Sequence, residues 1–200
     1  MTGSYDWIIK KMMPAGFREK FIQQINPSVS ENILDFGTGT AEIAILLKQA
    51  APQANITAID IDPKVLEIAK RKITNKNVVV QIIEYDGKAF PLNSNYFDKV
   101  VSCLVFHHLS PEQKALALAE IFRVLKPGGK IYISDWGLER NWLKAKFLNF
   151  YNYFDVLKYI VENGKGLLPQ YMTKEGFKDV IESTYLKTIT STLCYYEGRK

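Results

Sequence analysis

Short apolar runs recur along the chain and predict buried strands. Each is four to eight residues long and carries branched or aromatic side chains between polar or turn-forming residues. The first five are ILDF (33–36), ITAID (56–60), VVVQII (78–83), FDKVVSCL (97–104) and KIYISD (130–135). Near the end, LKTITSTL (186–193) and CYYEGR (194–199) predict two more strands.

Helical periodicity fills the intervals between these runs. Residues 40–50 predict one helix, and Asp62-Pro63 predicts the N-cap and first residue of a second. Ser110-Pro111-Glu112-Gln113 indicates a capping box for a third, which ends before Lys126-Pro127-Gly128-Gly129. The expected apolar stripes are Val65, Leu66, Ala69 and Ile73 on the second helix, and Ala115, Leu118, Ala119, Phe122 and Leu125 on the third.

Alternating strands and helices predict an α/β fold, with a parallel sheet covered by helices on both faces. In such sheets ligands bind beyond the carboxyl ends of the strands, at the point where strand order reverses. We therefore expect the chemically useful residues directly after strand ends. Residues 1–25 predict two helices that close this pocket as a lid, with a break at Pro14-Ala15-Gly16.

Composition fits one globular domain, because the 200 residues are 47% hydrophobic and 24% charged. We expect no membrane span and a cytoplasmic location, since no long apolar run or secretory signal is present. Cys103 and Cys194 lack metal-ligand spacing, so we expect reduced core thiols and no metal site. The net charge of +5 is modest, and the densest basic cluster, Lys70-Arg71-Lys72, suits a solvated helix end; no nucleic-acid partner is expected.

The first strand ends in Asp35, which precedes a turn containing Gly37 and Gly39. Glycines allow positive φ and close backbone approach to a ligand. A dinucleotide site would place its pyrophosphate here, and Asp35 would repel it. Position 42 is Glu rather than the third glycine of a dinucleotide motif. The turn therefore favours a ligand with a cationic group and counts against an NAD-dependent dehydrogenase.

Two further strand ends carry carboxylates. Asp60 lies 23 residues after Gly37, the offset at which an acid accepts hydrogen bonds from both ribose hydroxyls. Asp86-Gly87 follows the third strand and could meet an adenine amine, although Asp-Gly is also a common turn pair. The fourth strand leads into Phe106-His107-His108, where backbone carbonyls could line the pocket floor.

With these strand ends placed, the chain resembles the class I S-adenosylmethionine-dependent methyltransferases, and most of all the small-molecule branch that includes the ubiquinone/menaquinone C-methyltransferases. The resemblance covers residues 30–135, with a family-like ending at 168–200. It rests on the stretches LDFGTGTAEIA, ITAIDIDPKVLEIAKRK, EYDGKAFPLNSNYFDKVVSCLVFHHL and RVLKPGGKIYISDW.

The resemblance implies a Rossmann-like, doubly wound, mostly parallel seven-stranded sheet with an antiparallel C-terminal strand. It implies one methyltransferase domain over residues 1–200: a helical lid (1–28), a cofactor-binding core (30–135), a substrate-side insertion (136–168) and a C-terminal helix with strands (169–200).

The resemblance also implies S-adenosyl-L-methionine as cofactor and S-adenosyl-L-homocysteine as product. Asp35, with Gly37, Thr38 and Gly39, would hold the methionine ammonium and adjacent backbone. Asp60 would bind the ribose, and Ile61 would pack on the adenine. The remaining implied cofactor contacts are Asp86 and Gly87 at the adenine amine edge, Leu104 at the floor of the methionine arm, and Tyr5 on the N-terminal helix.

His107 and His108 are the only histidines and lie just beyond the fourth strand, so they are candidates for a general base. Each could instead only cap and pack its loop. Asp135, at the end of the fifth strand, is a third catalytic candidate or simply a turn residue. If the acceptor loses no proton, positioning and exclusion of water can supply the catalysis without a base.

The segment from Trp136 to Tyr159 contains eight aromatic residues. It could line a pocket for an apolar or aromatic acceptor, or pack into the core or a dimer contact. The leading interpretation is methyl transfer to a small, apolar or aromatic metabolite, by a monomer or homodimer. The alternatives are an RNA or protein methyltransferase on the same fold, and a non-catalytic cofactor-binding module.

Overall fold

A seven-stranded mixed sheet forms the centre of the molecule in a computed structural model, which describes residues 13–141, 163–188 and 191–200. The strand order across the sheet is β3-β2-β1-β4-β5-β7-β6. Strand β7 runs opposite to the other six strands, which all point the same way, so the predicted fold class is confirmed. The strands are β1 (Asn32–Phe36), β2 (Asn55–Asp60), β3 (Gln81–Glu84), β4 (Phe97–Cys103), β5 (Leu125–Trp136), β6 (Lys178–Lys187) and β7 (Thr192–Arg199).

Helices in the described residues cover both faces of the sheet. Adjacent residues of β1 show this directly, because Ile33 packs into one buried apolar cluster and Leu34 into the cluster on the opposite face. A sheet covered on both sides explains why the strands read as continuous apolar runs. The helices are α1 (Phe17–Ile25), α2 (Glu42–Ala50), α3 (Pro63–Asn75), α4 (Pro111–Val124) and α5 (Leu168–Lys174).

Two helix starts follow from local chemistry as predicted. The Asp62 side chain accepts a hydrogen bond of 2.9 Å from the backbone N–H of Lys64, with Pro63 as the first helical residue of α3. Ser110 and Gln113 form the reciprocal capping box that starts α4. The loops before α3 and α4 follow β2 and β4, so they lie at the carboxyl end of the sheet.

The C-terminal strands differ from the prediction. The segment 186–193 is not one strand, because β6 ends at Lys187 and β7 begins at Thr192. Thr188 and Ser191 close the connection: the Thr188 backbone N–H and hydroxyl donate to the Ser191 carbonyl, and the Ser191 N–H donates to the Thr188 hydroxyl. Threonine-rich sequence has strand propensity throughout, so composition alone did not reveal where β6 ends and β7 begins.

Three other predictions need correction. Strand β3 begins at Gln81. Strand β5 begins at Leu125, directly after α4 ends at Val124, so Lys126-Pro127-Gly128-Gly129 follows that helix as predicted but lies inside a strand rather than in a turn. Gly128, at φ 79°, marks the irregularity, and the β4–β5 register shifts nearby. The buried face of α4 is rotated by one residue from the predicted stripe and consists of Lys114, Ala117, Leu118, Ile121 and Val124.

The described part of the predicted lid is α1. It begins directly after Gly16, whose φ of 77° supports the predicted break. The Tyr195 hydroxyl of β7 donates a 2.9 Å hydrogen bond to the Phe17 carbonyl, which fixes α1 against the sheet. Residues 1–12 and 142–162 lie outside the described residues, so the first lid helix and most of the aromatic segment stay predictions.

Helices in the described part of the chain are all too short or too polar to cross a membrane.

Candidate functional site

A cavity of about 560 Å³ opens at the carboxyl ends of β1, β2 and β4. Strand order reverses here, because the chain moves outward from β1 through β2 to β3 and then returns to pair β4 with β1. Its walls come from α1, the turn after β1, the end of β2 and the loop after β4. The lining residues used below are Arg18, Gly37, Thr38, Gly39, Glu42, Asp60, Ile61, Asp62, Val65, Tyr85, Cys103, Leu104, Val105, His108 and Leu109.

The glycine turn forms one wall with its backbone. Gly37 and Gly39 have φ values of 67° and 55°, a region that L-residues rarely adopt. The N–H groups of Gly37 and Thr38 both donate to the Ile59 carbonyl, at 2.9 and 3.0 Å. A Cβ at Gly37 would lie 2.5 Å from Cγ2 of Val105, whereas a Cβ at Gly39 would meet nothing within 4 Å. Gly37 therefore permits packing, and Gly39 faces open space.

Asp60 links the ends of β1 and β2. Its Oδ2 accepts from the Gly39 N–H at 2.8 Å, and its Oδ1 accepts from the Asp62 N–H at 3.1 Å. Each carboxylate oxygen can accept a further hydrogen bond, so the group remains able to bind hydroxyls. Ile61 lies next to it and is 58% exposed, which presents an apolar surface at the cavity rim.

Asp35 lies behind the turn rather than in the cavity wall. Its carboxylate is buried, and Oδ2 accepts a 2.6 Å hydrogen bond from the Thr38 hydroxyl. Burial raises the pKa of Asp35 to about 7, with a smaller contribution from the negative charge of Asp60 and an opposing one from the Thr38 hydrogen bond. Thr38 lines the cavity, so its hydroxyl separates Asp35 from the open space.

Only one of the three catalytic candidates lines the cavity. His108 does so, and its ring centroid lies 3.9 Å from that of His107. Burial, with the neighbouring His107, lowers the pKa of His108 to about 4, so its ring is neutral near pH 7.

His107 and Asp135 form a buried pair beneath His108. Nδ1 of His107 lies 2.8 Å from Oδ1 of Asp135, and the His107 backbone N–H donates to Oδ2 at 3.3 Å. The Trp136 N–H also donates to Oδ1, at 2.7 Å. Asp135 is thus a buried anchor of the loop after β4 rather than an exposed turn residue.

The other predicted cofactor residues are spread more widely. Leu104 lines the cavity floor, with a φ of 60°. Gly87 lies beside Ile61, since a Cβ built on it would be 3.7 Å from Cγ2 of Ile61. Asp86 is exposed and accepts from the Lys88 N–H at 3.0 Å; neither Asp86 nor Gly87 lines the cavity. Tyr5 lies outside the described residues.

Sequence reasoning missed Arg18 and Tyr85 and placed Cys103 in the core. All three line the cavity, although Cys194 is buried as predicted. Burial raises the pKa of Tyr85 to about 12, with smaller contributions from Asp60 and Asp86. Their positions in the sequence could have identified them as cavity residues, because Tyr85 and Cys103 lie at strand ends and Arg18 lies on the predicted lid.

Comparisons with known proteins agree with this geometry. The family described as "Methyltransferase domain" matches residues 33–129. A demethylmenaquinone methyltransferase of Thermus thermophilus is 32% identical over 120 residues, covering 60% of this chain and 54% of that protein. A ubiquinone/menaquinone biosynthesis C-methyltransferase of Cupriavidus metallidurans is 30% identical over 176 residues, covering 86% of this chain and 70% of that protein. This chain thus spans 54% of the first relative and 70% of the second.

A solved structure supports the fold. The phosphoethanolamine N-methyltransferase 2 of Haemonchus contortus, in complex with S-adenosyl-L-methionine, superposes with a TM-score of 0.76 at 17% identity. The alignment covers 100% of this chain and 56% of that one.

The cavity residues suit S-adenosylmethionine, the ligand of that solved structure. The Gly39 turn leaves room for close approach, Asp60 retains acceptor capacity for hydroxyls, and Ile61 offers an apolar face. Burial makes the ionised form of Asp35 unfavourable. A cationic group of a ligand nearby would favour the ionised form and so would bind favourably there.

The two turn glycines should respond differently to alanine. We expect Gly37→Ala to lower the free energy of unfolding by about 3 kcal/mol, because backbone strain adds to the clash with Val105. Gly39→Ala should cost only about 1 kcal/mol, since it adds strain without a clash. Urea denaturation followed by circular dichroism measures both, and equal losses would contradict this description of the turn.

Asp35 should make the folded protein less stable as pH rises. Its folded pKa of about 7 exceeds the ordinary value of 3.8, so the folded chain binds the proton more tightly than the unfolded chain. That stabilisation is complete below pH 4 and is lost as pH rises through 7, by about 2 kcal/mol between pH 5 and 7. Asp35→Asn does not titrate. Its free energy of unfolding minus that of the unmodified protein should therefore be larger at pH 8 than at pH 5.

Asp98→Asn is the matched control. Burial raises the pKa of Asp98, but hydrogen bonds from Lys126 and the Asn32 N–H outweigh it, so the net shift is downward. Its stabilising effect is therefore lost only as pH falls below the ordinary range, and this variant should differ from the unmodified protein by the same amount at pH 5 and pH 8. Parallel curves for Asp35→Asn and the unmodified protein would contradict the raised pKa.

Proposed function

This chain belongs to the class I S-adenosylmethionine-dependent methyltransferases, and from that premise we propose that it methylates a small, apolar or aromatic metabolite. One observation carries the proposal. A single cavity joins the Asp60 carboxylate, the glycine turn and an apolar side that ends at His108 and Leu109. It therefore offers a polar end for the cofactor and an apolar end for the acceptor.

The polar end supplies the proposed cofactor contacts. Asp60 accepts from the ribose hydroxyls, while Ile61 packs on the adenine, with Asp86 and Gly87 near the amine edge. Asp35 and Thr38 offset the positive charge of the ammonium, and Leu104 supports the methionine arm. The bound cofactor supplies a methyl group that its sulfonium makes electrophilic. The residues themselves fix its orientation and exclude water, which can account for much of the rate enhancement.

The acceptor side is apolar and has few polar groups. Leu104, Val105 and Leu109 line it together with the neutral His108 ring. The relatives named above are methyltransferases of demethylmenaquinone and of ubiquinone/menaquinone biosynthesis. A quinone-like aromatic ring is accordingly the first acceptor class to test. The aromatic segment from Trp136 to Tyr159, which the sequence predicts as a candidate lining, lies mostly outside the described residues.

We assign His108 the role of orienting the acceptor. A ring with a pKa of about 4 accepts a hydrogen bond at pH 7 but is a weak base. It therefore suits alignment of an acceptor O–H or N–H better than removal of its proton. His107 and Asp135 act through it as positioning residues, because their 2.8 Å contact fixes the ring against which His108 packs.

Methylation of metabolite extracts tests the substrate class. With cofactor labelled on the methyl group, the label should appear in a small apolar or aromatic product that mass spectrometry identifies. Asp60→Ala should weaken S-adenosylhomocysteine binding at least tenfold by calorimetry and suppress labelling, because it removes charge-assisted hydrogen bonds. Label confined to RNA or protein would instead support the alternative substrate classes, and binding without any labelling would support a non-catalytic module.

Two variants separate orientation from proton removal at His108. His108→Gln keeps a hydrogen-bond acceptor, so kcat/KM should fall less than about fivefold, whereas His108→Ala should lose tenfold or more. Both should bind S-adenosylhomocysteine with unchanged affinity. If His108 is the base, His108→Gln will be as impaired as His108→Ala, and the acidic limb of the pH–rate profile will change in both.

A further inference from the structure

The connection from β3 to β4 carries two of the proposed adenine contacts, Asp86 and Gly87, but it has no regular structure of its own. Residues 85–96 contain neither a helix nor a strand. A connection of this length moves unless other elements hold it. We infer that Arg123 of α4, acting with Glu120, positions this connection for recognition of the adenine base. The inference rests on the proposed cofactor site, and Arg123 acts there as a positioning residue, through the connection rather than on the ligand.

Arg123 holds the connection by its backbone and by one hydroxyl. Its guanidinium donates to the carbonyls of Phe90 and Leu92, at 3.1 and 2.9 Å, and to the Ser94 hydroxyl at 3.0 Å. Its Nε and Nη2 donate to the two carboxylate oxygens of Glu120, at 2.7 and 2.8 Å. These five hydrogen bonds match the five N–H donors of a guanidinium, so the side chain is fixed in one orientation.

Glu120 completes the grip on Phe90. Its Oε2 accepts from the Phe90 N–H at 2.7 Å, so the ion pair binds both backbone polar groups of that residue. The side chains of Arg123 and Glu120 are 34% and 19% exposed. Ion pairs that reach solvent contribute little to stability by charge alone. The pair is therefore better explained by the position it gives to the connection than by its contribution to folding.

Phe90 transmits this position to the cavity. Its buried ring lies 5.3 Å, between centroids, from the rings of both Phe36 and Tyr85. Phe36 ends β1, and Tyr85 lines the cavity. The Tyr85 N–H donates to the Asp60 carbonyl at 3.2 Å, which ties the start of the connection to β2. Asp86-Gly87 thus lies between two fixed points, one held by β2 and the other by α4.

Preference for one purine base over another is the property that this positioning controls. Adenine presents an amine that donates to a carboxylate, whereas hypoxanthine presents a carbonyl oxygen that the Asp86 carboxylate would repel. A displaced connection loses the favourable contact with adenine and the unfavourable contact with hypoxanthine together. A general loss of stability instead weakens the binding of both bases alike, so the two effects can be separated.

Calorimetry with S-adenosylhomocysteine and S-inosylhomocysteine, which differ only in the base, tests the inference. The unmodified protein should bind the adenosyl ligand about tenfold more tightly or better. Arg123→Met should reduce this preference to about threefold or less, because the connection loses the donors that fix it. Glu120→Gln keeps an acceptor for the Phe90 N–H but loses the charge, so its preference should fall between the two.

Lys126→Met is the matched control. Lys126 follows α4 closely and pairs at 2.6 Å with Asp98, which lies outside the connection. This variant also removes one cation from one ion pair, yet it should leave the base preference unchanged. Circular dichroism establishes that each variant is folded, and if Arg123→Met is not, the comparison of Glu120→Gln with Lys126→Met decides.

The remaining outcomes contradict the inference in different ways. An unchanged preference in folded Arg123→Met, or in Glu120→Gln where that variant decides, would overturn it. Equal weakening of both ligands would indicate a general effect on α4 and would overturn it as well. If the unmodified protein bound both ligands equally, the proposed adenine contacts would fail while the cofactor site stood. If it bound neither ligand, the proposed cofactor site itself would fail, and the role of Arg123 with it.

Discussion

The site depends on the hydrogen bond between the Gly39 N–H and Oδ2 of Asp60. It connects the ends of two parallel strands, β1 and β2, and both of its residues line the cavity. The bond holds the carboxylate at a fixed distance from the glycine backbone, so both surfaces are in place before any ligand arrives. Pre-organisation of this kind reduces the entropy lost on binding. The interval between the glycines and Asp60 is the length of one β-α-β unit, because the glycines follow β1 and Asp60 ends β2.

Asp35 illustrates a conflict between stability and function. A buried carboxylate destabilises the fold as pH rises, and asparagine could keep the Thr38 hydrogen bond without that cost. An apolar ligand would give no reason for a carboxylate at this position. A cationic ligand does, because a charge that is unfavourable in the free protein becomes favourable in the complex. The destabilising feature is therefore itself an argument for the chemistry of the ligand.

Much of the polar half of the site could be predicted from sequence. The β1 turn and Asp60 belong to one short β-α-β unit, where strand ends and spacing fix their neighbours. Arg18 could not be found in this way, because its place depends on α1 packing against β7, a contact that spans 178 residues. The role of Asp135 was hidden for the same reason, since its partner His107 lies 28 residues away on a neighbouring strand's loop. Local pattern identifies residues within a unit, whereas contacts between units depend on packing.

The two histidines show why residue type alone did not assign their chemistry. Neighbours in sequence, they lie in opposite environments: His107 is buried against Asp135, whereas His108 lines the cavity. Partial desolvation in the cavity wall, with the neighbouring His107, lowers the pKa of His108 and makes it a weak base, which fits a proposed role in alignment better than one in proton removal. Methyl transfer tolerates this arrangement, because the leaving thioether is neutral and charge disperses in the transition state. A cavity that holds acceptor and methyl group in line can therefore supply much of the rate enhancement, and the orienting role that we propose for His108 is consistent with this.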